Sequence, residues 1–486
     1  MKKIFLFLIA AVALVACDLE TPPPTELDTD KALSTYSGVD QATAITYAAF
    51  RSSGWYGLNT SLIPDVMCGN CVAGDPRNTQ AKTSFQSWLF TSTGGFSVYS
   101  NTYGNLIRCN NTIFALKNNA EVYLSEKGVT QQDLDNLMAE CLFVRAYCYF
   151  DLVRWYAQPY AVAKAATPGN VKSLGMPIVS ENPDESAVAR PARDLAVDNY
   201  KNIISDLTTA LQLMEPGYTR ANALDQKACA SVGAIEALLA RVYLYVGDYV
   251  NAEKHATNVI NSGKYRIANA NEYKTLWGEA TWTTTPEIIF SAYVDQQDGG
   301  GINGGPGSLT EPVEGYGDVR VSKDLLSILD DNDVRKTMLR VSDKVEEAGF
   351  FWPNKYQGKP GVNPMYSSLP LIRISEMYLV RAEARYNSGN PNGALDDLNV
   401  ITSNRNAEPI VVATPDAIFN ERRKELAFEG HIYHDYKRLQ KDLVRNDMGI
   451  MSQNKDIPAS SYLWCMPIAE SEFDVNPNLV QNPGWN

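Results

Sequence analysis

Histidine is scarce in this sequence, and the common signatures of catalysis are missing. Only three of the 486 residues are histidines, which leaves few candidates for a general base of the usual kind. There is no G-x-S-x-G nucleophile elbow, no P-loop and no dinucleotide-binding glycine fingerprint. Nothing among the 56 acidic residues singles out a pair of carboxylates for glycoside hydrolysis. We therefore expect no catalytic residues and no enzymatic activity.

Positive charge is also in short supply. Lysine and arginine total 43 against 56 aspartates and glutamates, which gives a formal net charge of −13. Such a surface repels phosphate backbones, so we expect no nucleic-acid partner and favour a neutral or cationic ligand. No EF-hand-like D-x-D-x-D-G run occurs. The sequence thus indicates no metal and no cofactor, although a structural calcium ion is left open.

Cysteine does not follow the pattern of a disulfide framework. Eight cysteines are present; Cys17 stands apart near the N-terminus, and the odd number that remains leaves at least one free thiol. Cys68 and Cys71 form a lone C-x-x-C without a second ligand pair at the spacing of a zinc site. We predict a local disulfide there rather than a redox centre.

The first apolar run is too short to cross a bilayer. Residues 4–15 are wholly apolar, whereas a membrane-spanning helix needs about 20 such residues. The run is typical of the apolar region of a secretory signal peptide. It leads into LVAC (14–17), which resembles the bacterial lipobox. We predict a lipoprotein signal peptide at 1–16 and lipidation of Cys17.

The residues after Cys17 predict an extended tether. Asp18 and Glu20 resemble the signal that directs lipoproteins to the outer face of the outer membrane. The prolines of TPPP (21–24) favour polyproline II and cannot enter the interior of a helix or sheet. Lipid chains contribute about 0.8 kcal/mol per buried CH₂. We expect residues 17–35 to tether the protein to the outer membrane, facing the cell exterior.

Helical periodicity dominates the rest of the chain. Apolar residues recur at three- and four-residue steps along 132–156, 200–214 and 418–439. Strand-like runs are few and short, and the best are 286–294 and 408–413. The sequence therefore predicts a mainly α protein with a few short strands.

Two distant segments look like tetratricopeptide helix pairs. Residues 238–260 and 379–401 place small residues and a glycine in the register of that helix–turn–helix unit, which buries its apolar face only by stacking on neighbours. Between them, the glycine-rich stretch 298–318 argues against helix or regular strand. We predict a tetratricopeptide-like scaffold in a single domain, 36–486, with a loop-rich insertion at about 265–370.

Four segments, taken in order, resemble the SusD/RagB family of outer-membrane binding lipoproteins. They are LMAECLFVRAYCYFDLVRWYAQPY (137–160), LPLIRISEMYLVRAEARYNSGN (369–390), ERRKELAFEGHIYHDYKRL (421–439) and LWCMPIAESEFDVNPNLVQNPGW (463–485). The resemblance implies a helical fold of tetratricopeptide-like pairs and a SusC-like, TonB-dependent barrel as partner. It also implies capture of a nutrient at the cell surface.

The resemblance leaves two ligand classes open. A sugar ring presents an apolar face that stacks on aromatic side chains, and the chain has 26 tyrosines and eight tryptophans. We therefore predict a protein that binds oligosaccharide or polysaccharide and delivers it to the barrel. The alternative is RagB-like binding of oligopeptides for import, and a surface glycoside hydrolase is more remote.

The candidate ligand-binding residues are aromatics in loop-like sequence, including the loop 349–366. Polar residues before the first long helix join them, because glycan-binding family members also draw contacts from that region. The set comprises Trp277, Trp282, Tyr316, Trp352, Trp88, Asp65, Asn101 and Trp55. We interpret the dense charges of 421–434 as fold-stabilising ion pairs, since His431 and His434 lack the four-residue spacing of a zincin.

Overall fold

The computed structural model describes residues 29–80, 82–94, 96–167, 169–278, 282–295, 305–358 and 364–485. The predicted signal peptide, Cys17 and most of the predicted tether lie outside the described residues. So do residues 298–304 of the glycine-rich stretch and residues 359–363 of the second loop.

Within these residues the chain forms helices and four small antiparallel sheets. The helices are α1 (Thr29–Ala32), α2 (Tyr36–Ala48), α3 (Ile63–Met67), α4 (Thr83–Gln86), α5 (Val98–Asn118), α6 (Ala120–Leu124), α7 (Gln131–Tyr156), α8 (Tyr160–Ala165), α9 (Pro183–Val188), α10 (Ala196–Leu213), α11 (Val232–Val246), α12 (Tyr249–Asn261), α13 (Ala270–Leu276), α14 (Pro306–Thr310), α15 (Lys323–Leu326), α16 (Ile374–Asn387), α17 (Pro391–Asn404), α18 (Pro415–Glu425), α19 (Ile432–Arg438) and α20 (Glu470–Val475). The strands are β1 (Cys71–Ala73), β2 (Ile288–Ala292), β3 (Val319–Val321), β4 (Leu339–Arg340), β5 (Trp352–Pro353), β6 (Leu369–Arg373), β7 (Leu443–Val444) and β8 (Asp456–Ile457).

Helix α7 is the centre of the fold. A capping box closes its first turn, because Thr130 and Asp133 each accept a hydrogen bond from the backbone N–H of the other. Every residue from Ala139 to Tyr156 is buried, since α5 packs along one side of the helix and α10 along the other. The helices predicted at 132–156 and 200–214 are confirmed.

The two tetratricopeptide-like segments stack directly on each other. The first forms α11 and α12, joined at Gly247, and the second forms α16 and α17, joined at Gly389; both glycines have a positive φ. Helix α12 packs on α16. Together with α5, α7 and α10, the four helices form one continuous stack, so segments far apart in sequence are neighbours in space. The predicted mainly α, tetratricopeptide-like fold is confirmed.

The strands pair as β1 with β3, β2 with β6, β4 with β5, and β7 with β8. The strand predicted at 286–294 is confirmed as β2, but 408–413 forms no strand. There, the side-chain amide of Asn399 donates to the carbonyl of Ile410 and accepts from its N–H, both at 2.9 Å. One side chain thus replaces a strand partner for Ile410.

Two further predictions are wrong in detail. The glycine-rich stretch was expected to exclude helix, but Pro306 occupies the first position of the short helix α14, where a missing N–H costs nothing. Cys68 and Cys71 are buried free thiols and do not form the predicted disulfide.

The helix predicted at 418–439 is broken into α18 and α19. The break contains Phe428 and Gly430, both with a positive φ, and a side chain at Gly430 would have its Cβ 1.7 Å from the carbonyl oxygen of Thr60. Asp65 holds the broken turn by accepting hydrogen bonds from the N–H groups of Phe428 (2.7 Å) and Gly430 (3.1 Å). A contact from more than 350 residues away therefore ends the helix.

A buried charge cluster joins the loop-rich insertion to the helical stack. We use this name for Glu287, Asp333, Arg335, Lys355, Arg373, Arg405, Glu421, Glu425 and Glu429, all of which are buried. Arg405 reaches both Glu287 and Glu425 at 2.8 Å, and Arg373 contacts Glu287, Glu425 and Glu429. Burial alone would raise the pKa of Glu425, but the guanidinium groups of Arg405 and Arg373 outweigh it and hold that pKa well below its ordinary value. The ion pairs predicted for 421–434 are present.

Neutralising the centre of the buried charge cluster should strongly destabilise the protein. We expect Glu425→Gln to lower the free energy of unfolding by about 3–5 kcal/mol, because three arginines lose a buried partner. The matched control is Asp416→Asn, which breaks the exposed pair with Lys441 and should cost under about 1 kcal/mol. Urea denaturation measures both. Equal losses in the two variants would contradict this prediction.

His434 should make the protein sensitive to acid. Burial, followed by the charges of Arg154 and Lys437, lowers the pKa of His434 well below its usual value. The unfolded chain, with a histidine pKa of about 6.5, binds more protons than the folded one, so stability falls as pH drops below that value. Between about pH 6.5 and pH 5, the wild type should lose about 1.5 kcal/mol more of its unfolding free energy than His434→Phe loses.

Denaturant titrations at a series of pH values check this difference. The control is Tyr433→Phe, which loses a hydrogen bond to the carbonyl of Trp464 and should lower stability by the same amount at every acidic pH. An acid profile of His434→Phe that runs parallel to the wild type would refute the role of this imidazole.

Candidate ligand-binding cleft

Most of the aromatic residues proposed for ligand stacking lie inside the protein. Trp55, Trp88, Trp277, Trp282 and Trp352 are at most 3% exposed. Four of them lie in turns or bends and Trp352 begins strand β5, but the chain folds back at each position and the indole rings fill the interior. The expectation that they form an exposed platform is therefore wrong.

Two of the three tryptophans of the loop-rich insertion, Trp277 and Trp352, lie against charged groups. Lys355 and Arg373 lie over the ring of Trp277, with 4.8 Å and 5.2 Å to its centroid, so this ring covers one side of the buried charge cluster. Trp352 donates its indole N–H to the carbonyl of Gly317 at 2.7 Å. Both rings thus have a structural partner.

The other buried candidates are also held by protein groups. The indole of Trp55 donates to Asp151 at 2.6 Å, and that of Trp88 donates to the carbonyl of Met67 at 2.8 Å. The backbone N–H of Trp282 donates to Asp225. Asp65 of α3 is wholly buried against the broken turn, where burial raises its pKa to about 6 against the effect of its hydrogen bonds. We assign these residues structural roles.

Tyr316 and Asn101 are the two candidates that are partly exposed. The backbone N–H of Tyr316 donates to the carbonyl of Ser308. Asn101 accepts from the hydroxyl of Ser52 at 2.7 Å and donates to the carbonyl of Ser97 at 2.8 Å. The structure does not bring these two residues together, but Asn101 supports the wall of a cleft.

That cleft lies between the segment before α5 and the short helix α20, and its volume is about 460 Å³. We call it the polar cleft. Hydroxyl and carboxylate groups dominate its lining, with two aromatic rings between them. The side chains that define it are Ser92, Thr93, Phe96, Ser97, Tyr99, Ser100, Glu470, Ser471, Glu472 and Asp474.

The two walls of the polar cleft are bound to each other. The N–H of Glu470 donates to the carbonyl of Ser92 at 3.1 Å, and the hydroxyl of Ser92 donates to the carboxylate of Glu470 at 2.9 Å. These reciprocal contacts join the segment before α5 to the start of α20, nearly 380 residues later. The width of the cleft is thereby fixed at one end.

The floor of the polar cleft rests on the end of α7. The ring of Phe96 packs edge-on against Trp155 with 4.7 Å between centroids. The N–H of Tyr99 donates to the hydroxyl of Tyr156 at 3.0 Å, and the two rings are perpendicular. Because Trp155 and Tyr156 are wholly buried, this floor is rigid.

The polar cleft suits a ligand with many hydroxyl groups. Serine and threonine hydroxyls both donate and accept hydrogen bonds, and ionised carboxylates accept them. Glu472 is partly buried, which raises its pKa. The edges of Phe96 and Tyr99 supply an apolar surface between these groups, the combination that ligand pockets generally use.

A second cleft, of about 420 Å³, runs between α5, α7 and α10. Its floor is formed by leucine and methionine side chains such as Leu134 and Met138. Arg145 on its edge is already paired with Asp206 at 2.7 Å. Its polar groups are therefore less available to a ligand than those of the polar cleft.

Sequence reasoning reached the polar cleft only through Asn101, which supports one wall, and missed its lining residues. Phe96 and Tyr99 follow the glycine pair 94–95 closely, and aromatics beside such a turn were a signal for this wall. The acidic wall lies within 463–485, one of the four segments that carry the family resemblance. A short helix with three carboxylates next to serines was the signal that could have found it.

Two general properties follow from the described residues. No helix among them is both long and apolar enough to cross a membrane. No group of three histidine, cysteine, aspartate or glutamate side chains in the described ranges is arranged to hold a metal ion.

Comparison with known proteins gives two family matches. The model of the SusD family matches residues 348–485. A second model, described as starch-binding and associating with the outer membrane, matches residues 19–244. The matches cover both ends of the chain, including both walls of the polar cleft.

Individual relatives agree with these matches. SusD-like protein P2 of Formosa agariphila is 23% identical over 99% of both chains. The starch-binding protein SusD of Bacteroides thetaiotaomicron is 30% identical over 28% of this chain and 25% of its own. The crystal structure of a SusD superfamily protein from Bacteroides thetaiotaomicron is 26% identical, with a TM-score of 0.80 over 92% of this chain and 100% of that one. The chain belongs to the SusD/RagB family.

Proposed function

We propose that this protein is a lipid-anchored lipoprotein on the outer face of the outer membrane that binds an oligosaccharide in the polar cleft. It passes the glycan to a SusC-like, TonB-dependent barrel and carries out no chemistry itself. The observation that carries the proposal is the polar cleft, which lines an aromatic floor with hydroxyls and carboxylates, in a chain whose family includes starch-binding proteins.

The chemistry of the polar cleft supports a sugar ligand. A hexose ring carries hydroxyls around its rim and an apolar C–H surface on its face. The rim finds donors and acceptors in Ser97, Ser100 and Glu472, and the face meets the edges of Phe96 and Tyr99. A volume of about 460 Å³ accommodates a short oligosaccharide rather than a single small ion.

The location of the polar cleft supports a role at the membrane surface. The described chain begins near Leu33, which packs against Leu116 at the C-terminal end of α5, whereas the cleft lies at the N-terminal end of the same helix. Helix α5 has 21 residues, so the two sites are about 30 Å apart. The end of the predicted tether and the polar cleft thus lie at opposite ends of α5, which leaves the cleft clear of that attachment point.

Filling the polar cleft should weaken glycan binding. We expect Ser100→Trp to weaken binding at least about tenfold, because an indole occupies the space of a sugar ring. The matched control is Ser403→Trp; both serines are exposed helix residues whose hydroxyls donate to a backbone carbonyl three or four residues earlier. Calorimetry of the soluble protein with a panel of polysaccharides and pooled oligopeptides measures the effect.

The panel separates the proposal from its competitors. Peptide binding without glycan binding would favour RagB-like peptide import instead. Glycan binding that survives in Ser100→Trp would place the ligand site elsewhere. In cells, uptake of a fluorescent glycan should fall with Ser100→Trp and persist with Ser403→Trp if delivery to the transporter starts from this cleft.

Lipidation of Cys17 should leave a mass signature. We expect the mature protein, extracted from membranes with detergent, to begin at Cys17 and to carry several acyl chains, because stable anchoring needs more than one. Intact-protein mass spectrometry identifies the N-terminus and the added mass. Cys17→Ser should lack that mass and appear in the soluble fraction. An unmodified N-terminus in the wild type would rule the anchor out.

A further inference from the structure

The charges at the mouth of the polar cleft are all of one sign. Glu470, Glu472 and Asp474 line it, and no lysine, arginine or histidine does so among the described residues. None of the three carboxylates forms an ion pair within the described part of the chain, although ion pairs are common elsewhere in the protein. Arg193 lies behind the floor, but it is buried and donates to the carbonyls of Gly175 and Tyr156.

A second polar group in the polar cleft also lacks a protein partner. Tyr99 is only 7% exposed, yet no described residue forms a hydrogen bond with its hydroxyl. Its ring is held on one side by Tyr156 and on the other by Tyr103 at 4.7 Å. Burial and then the negative charge of Glu472 raise the pKa of the Tyr99 hydroxyl. A positioned hydroxyl and a partly buried carboxylate therefore lie near each other, and both are free to bind a ligand.

We propose that the polar cleft prefers glycans that carry a free amino group and excludes glycans that carry carboxylate or sulfate groups. This inference rests on the proposed function and adds a substrate class to it. An ammonium group has three N–H donors and no acceptor, so it can donate to Glu472 and to the hydroxyl of Tyr99 together, with Glu470 and Asp474 adding attraction at the mouth. An anionic sugar meets three like charges and no cation.

The size of the preference follows from the partial burial of Glu472. An exposed ion pair contributes little in water, but a partly buried pair interacts several times more strongly. We expect an amino sugar to bind about tenfold more tightly than the same sugar with its amine acetylated. The preference should shrink when salt rises from about 50 mM to about 0.5 M, because added ions screen the charges.

The test compares three oligosaccharides of equal length. They are a β-1,4-linked glucosamine hexamer, its fully N-acetylated counterpart and a galacturonic acid hexamer, titrated by calorimetry at mildly acidic pH. The wild type should bind the amine most tightly, the acetylated form about tenfold more weakly, and the galacturonate not measurably. In the triple variant Glu470→Gln, Glu472→Gln, Asp474→Asn, the affinity for the glucosamine hexamer divided by that for its acetylated counterpart should fall to about one. This ratio is diagnostic even if both affinities change.

A charge-matched control separates a local effect from the overall charge. Glu121→Gln, Glu215→Gln and Asp396→Asn remove three exposed charges far from the polar cleft in sequence and should keep the wild-type ratio. Equal affinity for the amine and its acetylated form would overturn this inference and leave glycan binding intact. Binding of galacturonate as tight as that of the amine would also overturn it. Binding of none of the three would overturn it as well, while a neutral glycan bound in the polysaccharide panel would still support the proposed function.

Discussion

The fold depends on the requirement that charges removed from water be paired. Arg373 and Arg405 are almost wholly buried, and leaving either without a partner would cost several kcal/mol. Their partners come from separate parts of the chain: Glu287 precedes β2, and Glu425 ends α18. The arrangement that pairs them brings the β2–β6 sheet, the α16–α17 pair and the broken turn after α18 together. The buried charge cluster thus selects one packing of elements that apolar contacts alone would hold less specifically.

The polar cleft is rigid because buried side chains of α7 and α19 support its floor. Its floor rests on Trp155 and Tyr156 at the end of α7, and Trp155 in turn stacks on Tyr433 of α19 with 4.6 Å between ring centroids. Helix α19 follows the turn that Asp65 holds in place. A ligand at the surface therefore meets groups whose positions are fixed by two layers of buried contacts, which reduces the entropy lost on binding.

Much of the scaffold could be predicted from the sequence, because a 3.6-residue period survives wherever a helix buries one face. The errors arise where a distant residue decides a local conformation. Asp65 breaks a segment that is periodic across 418–439, and Asn399 satisfies the backbone of Ile410 where a strand was expected. The tryptophans show the same limit: loop sequence around Trp277 and Trp352 says nothing about whether the loop folds inward. The polar cleft joins segments nearly 380 residues apart, a proximity that no single stretch of sequence contains.

The pairing of β2 with β6 has a consequence for how the loop-rich insertion can change. Ala292 lies opposite Leu369 in this sheet, so the chain leaves and re-enters the scaffold at neighbouring positions, about 5 Å apart. The cost of closing a loop between fixed ends grows only with the logarithm of its length. Those parts of 293–368 that lie outside β3 and carry no member of the buried charge cluster can therefore be lengthened or shortened without altering the register of the helices. One helical scaffold can in this way carry surface loops of very different length and shape.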